Sequence, residues 1–333
     1  MIVRTGAISF TVSGRFLLMF PALTLLVLAL AWVALGAGLT ETSAAERLAA
    51  LRGEGMLAEL RLPRILVALL GGAMTAASGM ILQIVSRNGL ADPGLLGLSQ
   101  GSVVAILLGG VVFGLGPQAL VWAGLAGALA VSLLVLGLGR GMMAGGGIVM
   151  VGLAVNIVLG AVTEIVMTSG DAARFARLAV WSRGTLSGVS NGDVALIAVW
   201  AAGCLPVLAL LGRSLGPLAL GHDTARAVGI DTRWLLPVLV MLAACLSAPV
   251  VAVCGPVSFL GLIAGYVARR LVGDAPQEVL ATGMLLGAGV LLLADTAGRA
   301  LLPPFVIPAG LMTSFAGVLV FLLAIAAERR LNR

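Results

Sequence analysis

The dominant pattern of the chain is a series of long apolar runs separated by short polar connectors. A helix that crosses a bilayer takes roughly 20 predominantly apolar residues, and ten runs approach or exceed that length. We predict membrane spans near residues 16–36, 64–85, 95–113, 118–138, 147–168, 193–212, 234–254, 257–272, 278–300 and 308–327. The run 257–272 is short for a crossing and follows Gly255-Pro256 almost without a turn. The pattern predicts an all-α, polytopic integral membrane protein of about ten transmembrane helices.

Composition agrees with this prediction. The 333 residues are 60% hydrophobic and 10% charged, and the mean hydropathy is +1.15. Soluble domains are usually about 45–50% apolar and about 25% charged. A bundle of spans packs as one unit, so we expect a single transmembrane domain over residues 1–333.

The basic residues give the expected orientation, because arginines and lysines accumulate on the cytoplasmic side of a membrane. All 20 basic residues are arginine, and the formal net charge is +6. An even number of spans puts both termini on one side, together with twelve arginines against eight on the other. We therefore expect cytoplasmic termini and two long external connectors, 37–63 and 169–192. The arginines fit membrane faces better than a nucleic-acid surface.

Several kinds of chemistry are excluded by the residue inventory. The single histidine excludes a zinc site built from several histidines. Without a lysine the chain cannot form a Walker-A phosphate loop. Cys204, Cys245 and Cys254 lie inside apolar runs with no C-x-x-C spacing and are predicted to be small buried hydrophobes. We predict no catalytic residue, no metal site and no cofactor held by this chain.

Carboxylates inside spans are the usual sign of ion coupling. Apart from Asp193 and Glu278, which are the first residues of their spans, only Glu164 and Asp295 fall inside predicted spans, and both lie toward the external ends. An ion-coupled secondary transporter therefore has little support but stays an alternative, as does a membrane-embedded enzyme.

A dense polar segment interrupts the apolar runs at "GHDTARAVGID", Gly221 to Asp231, within the connector 213–233. It holds the only histidine, two aspartates and an arginine. A segment this polar must face either water or a protein partner, and on the predicted topology it is cytoplasmic.

Three passages resemble a known family. The first runs from Arg61 to Gly101, "RLPRILVALLGGAMTAASGMILQIVSRNGLADPGLLGLSQG". The second is the polar segment, where Ala225, Val228 and Gly229 fit a pattern A-x-x-L/V-G. The third is "GPVSFLGLIAGYVARRLVG", followed by "LLADTAGR" and "IPAGLMTSFAG". Together these passages resemble the permeases of type II ABC importers, the FecCD family, which take up iron-siderophores, haem and cobalamin.

Two positions depart from the family pattern. Gly89 replaces the usual proline of R-N-P-L-A-D-P, and Gly265-Tyr266 stands where the family usually has Pro-His. The second departure puts in doubt any role of the Pro-His pair at the cytoplasmic end of the eighth span.

The resemblance implies the partners and the task. A second permease copy, or a homologous permease, would complete a central pathway in the lipid of a bacterial plasma membrane, the inner membrane in a Gram-negative cell. Two ABC ATPase subunits would bind ATP and Mg²⁺ on the cytoplasmic side, and a substrate-binding protein would dock outside. The most frequent cargo of the family is an iron(III)-siderophore, and haem or cobalamin is the alternative. No nucleic-acid partner is implied.

The resemblance also implies three groups of functional residues. ATPase coupling is assigned to His222, Asp223, Thr224, Ala225, Arg226, Val228, Gly229 and Ile230, with Ala225 and Gly229 packing into the ATPase groove. Docking of the binding protein is assigned to Arg61, Arg64 and Arg299, since guanidinium groups bind carboxylates bidentately; the alternative is that they anchor helix ends. A cytoplasmic gate is assigned to Met142, Met143, Ala144 and Gly145; the alternative is a loop with no gating role.

Overall fold

The computed structural model describes residues 2–5, 8–11, 13–37, 42–139, 147–168, 179–302 and 305–331. A short antiparallel hairpin opens the chain, with strand β1 (Ile2–Thr5) paired to β2 (Ile8–Thr11). The helices that follow are α1 (Gly14–Gly36), α2 (Ala44–Leu51), α3 (Met56–Leu60), α4 (Leu62–Ser86), α5 (Leu98–Val111), α6 (Pro117–Leu138), α7 (Gly147–Thr168), α8 (Asn191–Leu220), α9 (His222–Ala227), α10 (Thr232–Cys254), α11 (Leu260–Val272), α12 (Pro276–Ala300) and α13 (Ala309–Leu331).

The helical membrane architecture is confirmed. Within the described residues, seven helical segments are long and apolar enough to cross a membrane: Gly14–Gly36, Met56–Ser86, Gln118–Leu138, Gly147–Thr168, Asn191–Leu220, Thr232–Cys254 and Pro276–Ala300. The other three predicted spans correspond to shorter helices, α5, α11 and the apolar part of α13. As the sequence indicated, the eighth span is short: α11 has 13 residues.

Helix α4 is the centre of the bundle and packs closely against α11 and α12. A Cβ added at Gly79 would lie 2.7 Å from the Cα of Gly261, and one added at Gly72 would lie 2.9 Å from the Cα of Ala288. Side chains do not fit at these two crossings, so the backbones themselves are in contact. Such close approach increases van der Waals packing, which drives helix association in lipid.

Irregular backbone replaces helix in three segments, 182–190, 255–259 and 305–308. These segments bond to each other and to adjoining helix ends: the N–H of Thr185 donates to the carbonyl of Cys254 at 2.7 Å, and the N–H of Gly310 donates to that of Gly184 at 2.8 Å. Gly255 has a φ of +76°, a conformation that favours glycine. Buried backbone groups without helical partners need hydrogen bonds elsewhere in the protein. Because the segment 255–259 is not helical, α11 begins only at Leu260.

Hydrogen bonds from α1 define the two ends of the bundle. At the end we call the Glu278 end, the backbone N–H and the hydroxyl of Ser13 donate to the Glu278 carboxylate at 2.7 and 2.5 Å. At the opposite end, the Asp295 end, Arg61 donates to the carbonyl of Leu35 at 2.7 Å. Helices α1 and α12 therefore begin at the same end and reach the other end together.

Candidate functional site

A buried ion pair joins α4 to α12 at the Asp295 end. The Nε of Arg64 donates to both carboxylate oxygens of Asp295 at 2.9 and 2.8 Å, and its Nη2 donates to Oδ1 at 2.6 Å. The Asp295 side chain is 3% exposed and that of Arg64 is 15% exposed. Guanidinium–carboxylate pairs with several bonds have a fixed geometry, so this contact sets the position of the start of α4 on α12.

The other two predicted docking arginines lie beside this pair. The Nε of Arg299 is 3.3 Å from Oδ2 of Asp295, one helical turn earlier on α12. Its Nη1 donates to the carbonyl of Ala37 at 3.1 Å, just as Arg61 donates to that of Leu35. Both arginines therefore bond to the end of α1, which agrees with the anchoring alternative; the docking role stays a prediction.

The three arginines and Asp295 form one cluster, which we call the arginine cluster. Arg64 and Arg299 reach the Asp295 carboxylate, while Arg61 bonds to the end of α1 and interacts electrostatically with Arg299. Three arginines and one aspartate make the cluster net positive. Sequence reasoning noted Asp295 as a carboxylate inside a span but did not predict its partners. Asp295 and Arg299 are four residues apart on one helix, a spacing that predicts contact between their side chains. The contact with Arg64 joins residues 231 positions apart, and no local pattern predicts it.

The polar segment forms a compact cap at the Glu278 end. Helix α9 ends with two bonds typical of a Schellman motif: the N–H of Gly229 donates to the carbonyl of Arg226 at 3.0 Å, and that of Ile230 donates to the carbonyl of Ala225 at 2.9 Å. Gly229 has a φ of +87°, which is the left-handed conformation expected at such an end. Among the described residues of this segment, one short helix is present, α9.

Exposure separates the residues of this cap into two groups. Ala225 is fully buried within the chain. It therefore packs α9 onto the rest of the bundle and is not exposed to a partner groove. The exposed residues are Asp223, Thr224, Arg226, Ala227, Val228 and Gly229, and Val228 is 62% exposed. His222 and Ile230 are half-buried. We call the exposed group the cap surface.

The cap is tied to the helices on both sides of it. The Nε of Arg226 donates to the hydroxyl of Thr232 at 2.9 Å, which connects α9 to the first residue of α10. Asp231 caps α10 by accepting from the N–H of Arg233 at 3.0 Å. The Arg87 guanidinium, at the end of α4, lies within 4 Å of the position a Cβ of Gly221 would take. The cap is therefore bonded to α10 and lies against the end of α4.

The loop between α4 and α5 carries a buried carboxyl. Asp92 is 1% exposed and accepts a bond from the N–H of Gly94 at 2.9 Å. Burial raises the pKa of the Asp92 carboxyl to about 6, against the opposing effect of the N–H groups of Gly94 and Phe259. Because Phe259 is the residue before α11, Asp92 links this loop to the start of that helix.

The Gly265-Tyr266 departure has a structural consequence. The amide of Gln83 bridges two points of α11: its Nε2 donates to the carbonyl of Gly261 at 3.1 Å, and its Oε1 accepts from Arg269 at 3.3 Å. A Cβ at Gly265 would lie 2.9 Å from that Oε1. Glycine therefore leaves room for this bridge, while the ring of the next residue, Tyr266, contacts the Arg270 guanidinium.

The predicted gate and the question of a metal site concern residues outside these clusters. The proposed gate, Met142, Met143, Ala144 and Gly145, lies outside the described residues. Among the described residues, no group of three or more histidine, cysteine, aspartate or glutamate side chains is arranged to hold a metal ion.

Comparison with known proteins agrees with this geometry. The FecCD transport family model matches residues 23–327. The Fe(3+)-citrate import system permease protein YfmE of Bacillus subtilis is 35% identical over 279 residues, which cover 83% of this chain and 84% of that protein. The hemin transport system permease protein HmuU of Yersinia pestis is 35% identical over 281 residues, covering 81% and 83%.

One solved structure is similar over nearly the whole chain. It is a metal-chelate type ABC transporter described in an inward-facing conformation, with a TM-score of 0.83 and 26% identity, covering 93% of this chain and 99% of that one. The helical bundle, with polar clusters at both ends, is that of a membrane permease of the ABC-importer type. The chain belongs to the FecCD transport family.

We expect Asp295→Asn to lower the free energy of unfolding by about 2 kcal/mol, because it leaves the Arg64 guanidinium without its counter-charge. The value is below the 3–5 kcal/mol typical of fully buried pairs, since Arg64 and Arg299 keep some exposure. Thermal unfolding in detergent measures the change. Asp193→Asn, which alters an exposed helix cap, is the control, and an equal or smaller shift for Asp295→Asn would contradict the assigned role.

Proposed function

We propose that this chain is the permease subunit of an ATP-driven importer that moves a bulky iron chelate, most often an iron(III)-siderophore, into the cytoplasm. The observation that carries the proposal is the position of two polar clusters at opposite ends of one bundle. The arginine cluster suits an acidic partner at one end, and the cap surface suits a protein groove at the other. The named cargo of the relatives, ferric citrate and hemin, supports an iron chelate.

The proposed mechanism divides the work between subunits. This chain breaks no bond; ATP and Mg²⁺ are bound by two partner ATPases that contact the cap surface. A second permease copy, or a homologous permease, completes the pathway, and residues Met142, Met143, Ala144 and Gly145 narrow its inner mouth. Nucleotide-driven movement of the cap shifts the pair between outward-open and inward-open states, and the ligand passes without a resident cofactor.

The proposed orientation puts the Glu278 end in the cytoplasm of a bacterial cell, with both chain termini. The Asp295 end then faces outward, where a substrate-binding protein docks. Asp295 is paired with Arg64, so it is poorly suited to bind the protons or sodium ions of a secondary transporter. The other carboxylate inside a predicted span, Glu164, is exposed, so it does not form a buried ion site.

Reconstitution tests the function directly. The permease is assembled in proteoliposomes with its ATPase and binding protein, and uptake of radio-labelled iron is compared for ferric citrate, a ferric hydroxamate and haem. We expect uptake of at least one chelate that requires ATP inside and the binding protein outside. Uptake that proceeds without ATP and collapses when ion gradients are dissipated would instead identify a secondary transporter. Preference for haem would favour the second candidate cargo.

Gly229→Val tests the cap surface. The space around Gly229 is open, so the cost comes from the left-handed backbone, about 1–2 kcal/mol for a residue with a side chain. We expect the Schellman motif to open and ATPase co-purification to fall severalfold. Gly188→Val is the matched control, because Gly188 also has a positive φ and open space but lies in the 182–190 segment. Equal co-purification of both variants with normal membrane insertion argues against the coupling role.

Arg61→Gln tests the docking role without removing a partner from Asp295. Charge pairs at a wet rim mainly change the association rate and its salt dependence. We expect slower association of the binding protein and a shallower decrease of the rate with salt, while ATPase assembly is unaffected. Arg52→Gln, an exposed arginine in the connector before α3, is the control. If Arg61→Gln changes neither the rate nor the salt dependence, Arg61 only anchors the end of α1.

A further inference from the structure

The loop between α4 and α5, residues 87–97, folds back into the bundle. A Cβ added at Gly94 in this loop would lie 3.0 Å from the Oγ of Ser258, which belongs to the segment before α11. The first turn of α11 lies level with Gly79 of α4, since the two backbones cross there. Gly79 is seven residues before the end of α4, about 10 Å along the helix. The loop therefore contacts the segment 255–259 inside the bundle.

Asp92 lies at this contact with one carboxylate oxygen unpartnered. Its Oδ1 accepts from the N–H of Gly94 at 2.9 Å, and the N–H of Phe259 also donates to the carboxylate. Oδ2 is buried and has no hydrogen-bond partner among the described residues. A buried carboxylate oxygen without a donor costs free energy when the group is ionised. The ionised form of Asp92 is therefore poorly accommodated in this packed arrangement.

Within the described residues, the elements around Asp92 supply no counter-charge. Burial raises the pKa of its carboxyl, and only backbone N–H groups oppose that effect. The segment 255–259 and α5 contain no titratable side chain. Elsewhere on the loop, α4, α7 and α11, none of the titratable residues affects the pKa of Asp92: Arg64, Arg87, Glu164, Tyr266, Arg269 and Arg270.

The segment on the other side of the contact is strained and partly open. Phe259 has a φ of +66°, a conformation that residues with a side chain rarely adopt. Its side chain packs tightly against α13, since a Cβ added at Gly317 would collide with it. Ser258 and Phe259 are both half-buried, so a small displacement of this segment exposes Asp92 to water. Strained backbone is typical of segments that switch conformation.

We propose that Asp92 is a positioning residue for transport: its ionised carboxylate favours states in which the loop 87–97 separates from the segment 255–259, and its neutral form favours the packed contact. Separation hydrates both oxygens of Asp92, which offsets the loss of packing. The loop begins at Arg87 beside the cap, so a displacement of the cap reaches this contact through a few residues. The transport role rests on the proposed function, but the contact can be tested on the permease alone.

Thermal unfolding of the purified permease across pH tests the cost of the charge. Asp92→Asn removes the charge and keeps an acceptor for the N–H groups of Gly94 and Phe259. The pKa of Asp92 is raised to about 6, above its ordinary value near ~4, so the wild-type chain gains stability as the pH falls between these values. We expect Asp92→Asn to raise Tm at about pH 7.5 and to lose this advantage between about pH 6 and 4. Glu54→Gln neutralises an exposed carboxylate before α3 and should show no such advantage.

Amide hydrogen exchange tests the separation of the contact, with peptides that cover residues 87–97 and 255–262. At about pH 7.5, where the wild-type carboxyl is ionised, we expect Asp92→Asn to slow exchange severalfold in both segments. Comparison at equal pH cancels the intrinsic pH dependence of exchange, and Glu54→Gln should leave both segments unchanged. If Asp92→Asn does not fold, the pH dependence of wild-type unfolding decides the question. Equal exchange in both chains, or a wild-type stability that does not rise as the pH falls through about 6, would show the proposal to be wrong.

The uptake rate of the wild-type importer divided by that of Asp92→Asn separates a positioning role from a merely structural one. With equal pH on both sides of the proteoliposome membrane, we expect a ratio severalfold above one at about pH 7.5 and close to one at about pH 5, where wild-type Asp92 is mostly neutral too. A ratio that does not change with pH overturns the transport role. Absence of ATP-dependent uptake by the wild-type assembly would instead contradict the proposed function, and unfolding and hydrogen exchange would still decide the role of Asp92 at the contact.

Discussion

Contact between the backbones of neighbouring helices is the constraint on which the rest of the bundle depends. Lipid offers little hydrophobic drive for helices to associate, so packing must come from close approach. On α4, glycines at 72 and 79 meet the backbones of α12 and α11 without intervening side chains. Because α4 is fixed on both neighbours, its ends are fixed too: Arg64 reaches Asp295 at one end, and Arg87 reaches the cap at the other.

The architecture was predictable from the sequence because each membrane span corresponds to a long apolar run. All ten predicted spans contain a helix, and the short eighth span was visible from the proximity of Gly255-Pro256. The left-handed conformation of Gly229 was also predictable, because helices commonly end at a glycine in this conformation. Local signals of this kind depend on neighbouring residues only.

Contacts between distant parts of the chain were not predictable in the same way. The carboxylate of Asp295 was noticed, but nothing local indicates that its main partner lies at the start of α4. The full burial of Ala225 depends on how the cap sits on the bundle, so the alanine looked like a surface residue from its motif alone.

The bonds of the cap have a mechanical consequence. The connection between α9 and α10 is short and hydrogen-bonded. It contains the Arg226–Thr232 bond, the Asp231 cap and the Schellman bonds at Gly229, so the two helices have little freedom to move relative to each other. A displacement of α9 therefore moves α10 with it, because no flexible loop separates the two helices. Helix α10 packs along α4, and the first turn of α4 holds the Arg64–Asp295 pair. The cap at the Glu278 end is therefore connected to the Asp295 end through two packed helices, with few flexible segments between them.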